Sequence, residues 1–388
     1  MGAVAAFNLK DGMISSGLCG FDISCGINLL VIDKSPKEIK NNLKNLVPTL
    51  FKNIPCGVGS KGKLKLNNSQ LDEVLVTGVN WAVENGYGTK DDIKHTEENG
   101  CMEDVDSSTV SEMAKNRGRQ QLGTLGAGNH FLEIQEVSDI YDEGFAKKWG
   151  LEGKDQTTLA LHCGSRGLGH QVASDYLKIH EKSLGKYGIK LLDMQLASAP
   201  FESKEGQDYF SAMKCAVNFS FTNRLVMTQW IRDSFKEVFK EDVEIKTLYG
   251  ICHNIAKIEE INGRKLIVHR KGATRSFPDL PVIIAGSMGT SSYLLKGTKK
   301  ALDLTFGSSA HGAGRVMSRT KAIESFRGND IRRELEAKGE VIKSASNEVL
   351  AEEAPQAYKD VDEVIKTVHE YGISLKVAKM IPLGVIKG

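Results

Sequence analysis

Asp22, Cys25, His130, His162 and His253 are side chains of the kinds that hold metal ions. Asp22 and Cys25 share Gly20-Phe21-Asp22-Ile23-Ser24-Cys25-Gly26. His130 ends Gly126-Ala127-Gly128-Asn129-His130, His162 precedes Cys163-Gly164-Ser165, and His253 lies in Cys252-His253-Asn254. A thiolate with imidazoles and a carboxylate suits Mn²⁺, Zn²⁺ or Fe²⁺, whereas Mg²⁺ prefers oxygen alone. A cysteine bridging two such ions would be fully ionised and could support two-metal phosphoryl chemistry. The five residues span more than half the chain and form no local zinc-finger pattern, so spacing is weak evidence. A lone histidine is more often a hydrogen-bonded structural residue. What lifts the set is the Gly-rich or Asn-containing turn beside each of the three histidines, a setting that core filling does not need.

His311 is of another kind. It sits in Gly307-Ser308-Ser309-Ala310-His311-Gly312-Ala313-Gly314-Arg315, where small residues leave room for a bulky ligand. The pattern predicts a helix beginning after Gly314 and carrying Val316 to Phe326, whose N-terminus would favour an anionic phosphate near His311. Arg315 and Arg319, at spacings of four, would then lie on the face below the imidazole. A neutral imidazole with two guanidiniums nearby can attack phosphorus and have the developing charge absorbed. A histidine that merely caps a glycine loop is the plainer alternative.

One phosphate motif is rejected. Gly57-Val58-Gly59-Ser60-Lys61-Gly62-Lys63 fits GxxxxGK, but Leu64 stands where a Ser or Thr would meet Mg²⁺, and the flanks are a poor strand and a poor helix start. A glycine-rich surface loop is the expectation there.

The elements that must position these residues are read from periodicity. Strands are expected at Phe131–Val137, Thr157–Cys163, Val243–Tyr249, Lys265–His269, Val282–Ala285 and Ser292–Leu295. A long helix from about Gly206 to Lys240 carries Phe210, Met213, Val217, Phe221, Leu225, Thr228 and Ile231 as a core-facing stripe. Glycine clusters border several strands, where backbone must turn or approach a ligand closely. No linker or repeat interrupts the 388 residues, so the chain reads as α+β, one large catalytic domain with mixed sheets flanked by helices. A hydrophobic content of 40% and a charged content of 26% are those of a globular protein, and no apolar run is long enough to span a membrane. The net charge of +2 neither requires nor excludes nucleic acid, because binding depends on local basic patches. Seven scattered cysteines without a CxxC pair fit a reducing cytoplasm better than a disulfide scaffold.

Taken together, these segments resemble the RtcB family of RNA-splicing ligases. The resemblance runs through Asp22-Ile23-Ser24-Cys25-Gly26, Gly126-Ala127-Gly128-Asn129-His130-Phe131-Leu132-Glu133, Leu161-His162-Cys163-Gly164-Ser165-Arg166-Gly167 and His253-Asn254. It continues through His269-Arg270-Lys271-Gly272-Ala273, Gly286-Ser287-Met288-Gly289, His311-Gly312-Ala313-Gly314-Arg315 and the terminal Gly384-Val385-Ile386-Lys387-Gly388. It implies two Mn²⁺ ions, one held by Asp22, Cys25 and His130 and the other by Cys25, His162 and His253. It implies GTP as cosubstrate and His311 as the nucleophile that takes GMP. Asn129, Asn254, Ala285, Gly286, Ser287, Met288, His311, Gly312, Ala313 and Gly314 match the family's nucleotide cradle. Glu133, Ser292, Tyr358 and Lys387 match positions that recognise or pack on guanine, and Arg166, Arg315 and Arg319 match phosphate-binding arginines. The implied activity joins RNA 3′-phosphate or 2′,3′-cyclic phosphate ends to 5′-hydroxyl ends in tRNA splicing or RNA repair. Its implied partners are tRNA halves and an archease-type activator. A Mn²⁺-dependent phosphoesterase and a non-catalytic RNA-binding paralogue are the alternatives.

The family usually carries several dozen residues ahead of the segment that here begins Gly2-Ala3-Val4. The domain is therefore expected over 1–388 as an N-terminally short form, with Val4, Ala5, Ala6 and Phe7 as a buried strand left at a free edge. A lower melting temperature and lower solubility than an upstream-extended form follow from that expectation.

Overall fold

The computed structural model describes residues 2–388; the domain start expected at Met1 lies outside them. The site and its supports are carried by strands β1 (Ala3–Asn8), β2 (Gly26–Ile32), β3 (Phe131–Ile140), β4 (Thr157–Cys163), β5 (Ile245–Cys252), β6 (Asn254–Ile261), β7 (Arg264–Lys271), β8 (Ala273–Arg275), β9 (Pro281–Ile284), β10 (Ser292–Gly297), β11 (Ser308–Ala310), β12 (Val341–Ser344) and β13 (Ser374–Lys387). The helices that matter most are α1 (Pro36–Asn53), α2 (Arg166–Ser183), α3 (Lys204–Phe239) and α4 (Arg319–Ser325). Every strand expected from periodicity is present within a few residues of its expected bounds. β2, β6, β8, β11, β12 and β13 are additional. β2 escapes a period-two search because Gly-Ile-Asn-Leu-Leu-Val-Ile is buried at every position and so shows no alternation.

That burial follows from its place. The eight-stranded sheet runs β9-β10-β13-β3-β4-β2-β5, with β12 added alongside β13. Leu30, Ile32, Leu132, Ile134, Leu159 and Leu161 face α1 and the Met227–Phe235 stretch of α3 on one side. Ile27, Leu29, Val31, Phe131 and Ala160 face Ile331, Leu335 and Leu350 on the other. Covered on both faces, the central strands can be apolar throughout.

The antiparallel register decides where the site falls. Gly26 lies opposite Cys163 and Cys252, and Phe131 lies opposite His162. The start of β2, the start of β3, the end of β4 and the end of β5 therefore share one rim of the sheet. Gly26 is required there, because a Cβ would lie 2.0 Å from the Ile251 carbonyl oxygen.

Two expectations are corrected. α3 does not present a single core-facing stripe: every residue from Ala212 to Thr228 is buried, because the helix runs through the middle of the molecule with packing on all sides. β1 is not a buried strand. It pairs only with β7, at the edge of the three-stranded sheet β1-β7-β6, and Val4 to Phe7 are half-buried.

Complete burial of α3 brings polar residues inside, and these reach the rim. The Arg224 guanidinium, fully buried, donates to the carbonyls of Ser24 (2.9 Å), Cys163 (2.9 Å) and Ile251 (3.4 Å), and to the Asn28 side chain (3.0 Å). One turn earlier Ser220 donates to the same Ser24 carbonyl at 2.8 Å. Asn223 accepts from the backbone N–H groups of Gly123 and Thr124 and donates to the Thr124 carbonyl. Replacing Arg224 by Met would leave these buried acceptors without a donor, at about 1–3 kcal/mol each in principle. Arg224→Met is expected to lose about 3–5 kcal/mol of stability, read as a shift in the urea midpoint at unchanged slope.

Candidate metal centre and adjoining cavity

Asp22, Cys25, His130, His162 and His253 come together at the rim. Two overlapping sets, Asp22–Cys25–His130 and Cys25–His162–His253, each place their ligand atoms within 4.8 Å of one another. Cys25 Sγ belongs to both, 3.5 Å from His130 Nε2 and 3.1 Å from His162 Nε2. His162 Nε2 lies 3.2 Å from His253 Nε2, and His130 Nε2 lies 2.8 Å from Asp22 Oδ2. His162 Nδ1–H donates to the Asn129 carbonyl oxygen at 3.0 Å, which leaves Nε2 with its lone pair toward the cluster.

The electrostatics of the cluster fit cation binding. Burial holds His162 and His253 well below the usual histidine range, which keeps both as neutral ligands. Burial and the Asp22 charge push the Cys25 thiol up to about 12, so only a cation at the sulfur would hold it as thiolate near neutral pH. Burial opposes charge on Asp22, but His130 outweighs it and holds the carboxyl low. Asp22 Oδ1 is buried without a hydrogen-bond partner, an acceptor left free beside Gly164. Thiolate, imidazole and carboxylate donors together suit a borderline divalent ion.

Two supports of this centre carry no signature in local sequence. Arg224 is one, already described. The other is Glu97, whose carboxylate accepts from the Cys252 N–H at 2.9 Å, immediately before His253. β5 is the last strand of its sheet, so this N–H has no strand partner, and the carboxylate takes that place. Lys257 is paired with Glu97 and, at 2.7 Å, with Glu98. Glu98 and Asn99 are both left-handed, with φ of 57° and 50°.

His311 is half-buried, with its ring centroid 4.9 Å from that of His253. The expected helix start is overturned. α4 begins only at Arg319, capped by Ser318, and His311 directly follows strand β11. Bridges from Gly312 to Ala285 and from Arg315 to Tyr358 keep 311–316 extended, so no helix N-terminus lies at the imidazole. Burial lowers the proton affinity of His311 and favours the neutral, nucleophilic form.

Beside the cluster lies a cavity of about 260 Å³. Its walls include His162, Asn129, Glu133, Ala285, Gly286, Ser287, Met288, His311, Gly312, Ala313, Gly314, Tyr358 and Lys387. Two cradle candidates stand apart from these walls. Asn254 ties the Asp22 carbonyl to the Gly272 N–H, and Ser292 is buried opposite Met380 at the start of β10. Glu133 is buried, accepts from Gln135 Nε2 at 2.7 Å, and is raised by burial to about 8.

Arg315 and Arg319 also line the cavity, though not through a shared helix face. Arg315 donates to Glu353 (3.1 Å), the Tyr358 hydroxyl (2.9 Å), the Glu352 carbonyl (2.7 Å) and the Met317 carbonyl (3.1 Å). Glu353, missed in the sequence, is the buried counter-charge of this wall. It accepts from Arg315, from Tyr358 at 2.5 Å and from Lys387 at 3.3 Å. Burial opposes its charge, but these partners outweigh burial and keep it ionised. Arg166 lies outside the cavity, at the His130 side of the cluster. A Cβ on Gly126 would sit 2.3 Å from Arg166 Nη1 and 2.5 Å from His130 Nδ1, so only glycine allows that approach.

An α+β domain with two ligand sets sharing one sulfur, beside a cavity lined by both polar and apolar groups, fits a metal-dependent enzyme. A family model described as tRNA-splicing ligase RtcB matches residues 1–388. The tRNA-splicing ligase RtcB of Thermococcus kodakarensis is 52% identical over 409 aligned positions, covering 100% of this chain and 84% of the relative. That of Nanoarchaeum equitans is 48% identical, covering 100% of the chain and 85% of the relative. The Methanocaldococcus jannaschii protein of the same name is 54% identical, but the matched region spans only 40% of its length. The chain belongs to the RtcB family, a family of ligase enzymes, as its sequence segments led one to expect.

Because one sulfur belongs to both ligand sets, Cys25→Ala is expected to lose metal from both positions, while His253→Ala retains one ion. Elemental analysis of folded, metal-loaded protein decides between these. Full metal content in Cys25→Ala would exclude a bridging thiolate.

Proposed function

We propose that this chain joins RNA 3′-phosphate or 2′,3′-cyclic phosphate ends to 5′-hydroxyl ends, using GTP and two Mn²⁺ ions, with His311 as the nucleophile. The observation that carries this reading is the position of His311: a neutral imidazole bordering both the metal-ligand cluster and a cavity that contains a buried carboxyl. Asp22, Cys25 and His130 would hold one ion, and Cys25, His162 and His253 the other. When bound, the ions supply positive charge to phosphoryl oxygens.

The lone pair of His311 attacks the α-phosphorus of GTP; a P–N bond forms and the P–O bond to pyrophosphate breaks. An oxygen of the RNA 3′-phosphate then attacks the same phosphorus, and the P–N bond breaks as GMP passes to the RNA. The incoming 5′-hydroxyl attacks the activated 3′-phosphate, losing its proton as GMP leaves. A cyclic phosphate end would be opened by hydrolysis first. Arg315 is held by four acceptors and so orders the wall, while Lys387 keeps donor capacity for the nucleotide. Arg319, exposed at the cavity, and Arg166, buried beside His130, would each offer a guanidinium to phosphate. The reading carries with it one catalytic domain, tRNA halves as natural substrates, an archease-type activator and a cytoplasmic setting. A hydrolase that only cleaves phosphate esters needs neither His311 nor the adjoining cavity.

His311→Ala is expected to abolish an acid-labile GMP adduct and all sealing while keeping metal content and melting temperature. Labelled GTP with Mn²⁺, followed by mass analysis of the peptide containing His311, tests this directly; equal adduct yield in the variant would overturn it.

Guanine selectivity follows from Glu133. Its ionised carboxyl can accept from guanine N1–H and the 2-amino group, and adenine offers no such pair. ATP should therefore fail by about three powers of ten. In the free protein burial keeps Glu133 protonated below about 8, whereas guanine binding demands the ionised form. Affinity for GTP should accordingly rise about tenfold per pH unit approaching neutrality and level off near pH 8. Glu133→Gln should bind more weakly and lose this rise relative to the parent, read by titration calorimetry across pH.

A further inference from the structure

The segment set aside as a false phosphate loop has a different use. Residues 57–66 hold no acidic side chain; after a turn at 57–60, exposure alternates from Lys61 to Leu66. Lys61, Lys63 and Lys65 are exposed, while Gly62 and Leu64 are half-buried and Leu66 is buried. Leu64 and Leu66 pack against the core cluster that includes Leu122 and Val226. Alternation of this kind puts the three ammonium groups on one face, about 7 Å apart along the chain. Lysines elsewhere do find carboxylates: Lys115 pairs with Asp72 at 2.7 Å and Lys40 with Glu136. The three on the ridge have no carboxylate partner among the described residues. Lys63 instead lies over the half-exposed Trp230 ring, 5.2 Å from its centroid.

The ridge is fastened to the loop that carries the metal ligands. Gly62 N–H donates to the Gln120 carbonyl at 2.7 Å and Gly57 N–H to the Gly126 carbonyl at 2.8 Å, four residues before His130. A Cβ on Gly62 would lie 2.0 Å from the Leu122 carbonyl oxygen, so the backbone is pressed against this loop. From the same loop Gln121 accepts from the Gly167 N–H at 2.8 Å, next to Arg166. The side chain of Arg117 packs beside Gly167 and is exposed. The 120–126 loop thus joins the ridge to the segment where Arg117 and Arg166 lie, and neither arginine has a carboxylate partner among the described residues.

We propose that Lys61, Lys63 and Lys65 form a ridge that binds the phosphate backbone of a single-stranded RNA whose end is delivered to the metal centre. This rests on the RNA-ligase reading above. Lysines with three freely rotating donors suit a mobile, sequence-independent backbone contact, and such contacts release counterions.

The test is the triple variant Lys61→Ala/Lys63→Ala/Lys65→Ala, with Lys61→Arg/Lys63→Arg/Lys65→Arg as the charge-preserving control. The probe is a mixed-sequence single-stranded RNA ending in a 3′-phosphate. The alanine variant is expected to keep the parent melting temperature and parent yield of the GMP adduct on His311. Its RNA affinity should fall tenfold to a hundredfold, and the slope of log Kd against log salt should drop by about 2, near 0.7 per lost contact. The arginine variant should stay within about threefold of the parent. Parental RNA affinity and salt slope in the alanine variant would overturn the ridge. A parent that binds RNA but forms no adduct and seals no ends would overturn the ligase reading, and the salt slopes would still decide the ridge.

Discussion

The carbonyls of Ser24, Cys163 and Ile251 converge on the one buried guanidinium of Arg224, and the metal-binding rim depends on that convergence. Each carbonyl sits within two residues of a ligand: Ser24 before Cys25, Cys163 after His162, Ile251 before His253. Strand ends ordinarily fray, because their last carbonyls and N–H groups lose the ladder. Here they cannot, since a planar cation with several donors ties three of them to the middle of a fully buried helix. Glu97 does for the outer face of β5 what Arg224 does for the inner one, supplying an acceptor where the sheet ends. The ligand atoms are held by backbone that has nowhere to relax.

Charge is arranged with the same economy around the cavity. The wall made by Arg315, Tyr358 and Lys387 turns on a single carboxylate, Glu353, which is buried and ionised because its partners outweigh the cost of burial. At Glu133 burial outweighs the Gln135 hydrogen bond and the Lys387 charge, and the carboxyl sits protonated below about 8. Two acids in one cavity thus take opposite states, one as a fixed counter-ion and the other as a group that waits for donors. Between the cavity and the metal-ligand rim stands His311, neutral through burial, on a loop kept extended by bridges to Ala285 and Tyr358.

Much of this was legible in the residues. The five ligand candidates stood out by type and by the glycine turns beside them, and those turns exist because backbone there must approach side chains closely, as Gly126 approaches Arg166 and His130. Arg264–Lys271 was visible as the apolar run Leu266-Ile267-Val268 between charged residues. β2 was missed although it too is an apolar run, buried on both faces and without a period to mark it. The helix expected at Gly314 failed for a related reason: small and apolar residues satisfy a helical spacing equally well when long-range bridges to 285 and 358 hold them extended.

Sequence by itself therefore determined which side chains were chemically equipped, the α+β class, and the family to which the chain belongs. Only the tertiary structure decided that Arg224 and Glu97 support the ligand sets, that Glu353 anchors the cavity wall, and that His311 stands on a strand end. The physical reason lies in separation along the chain. Cys25 meets His162 across 137 residues and Arg224 meets Ser24 across 200, and such meetings are set by strand register and helix packing, which local periodicity does not encode.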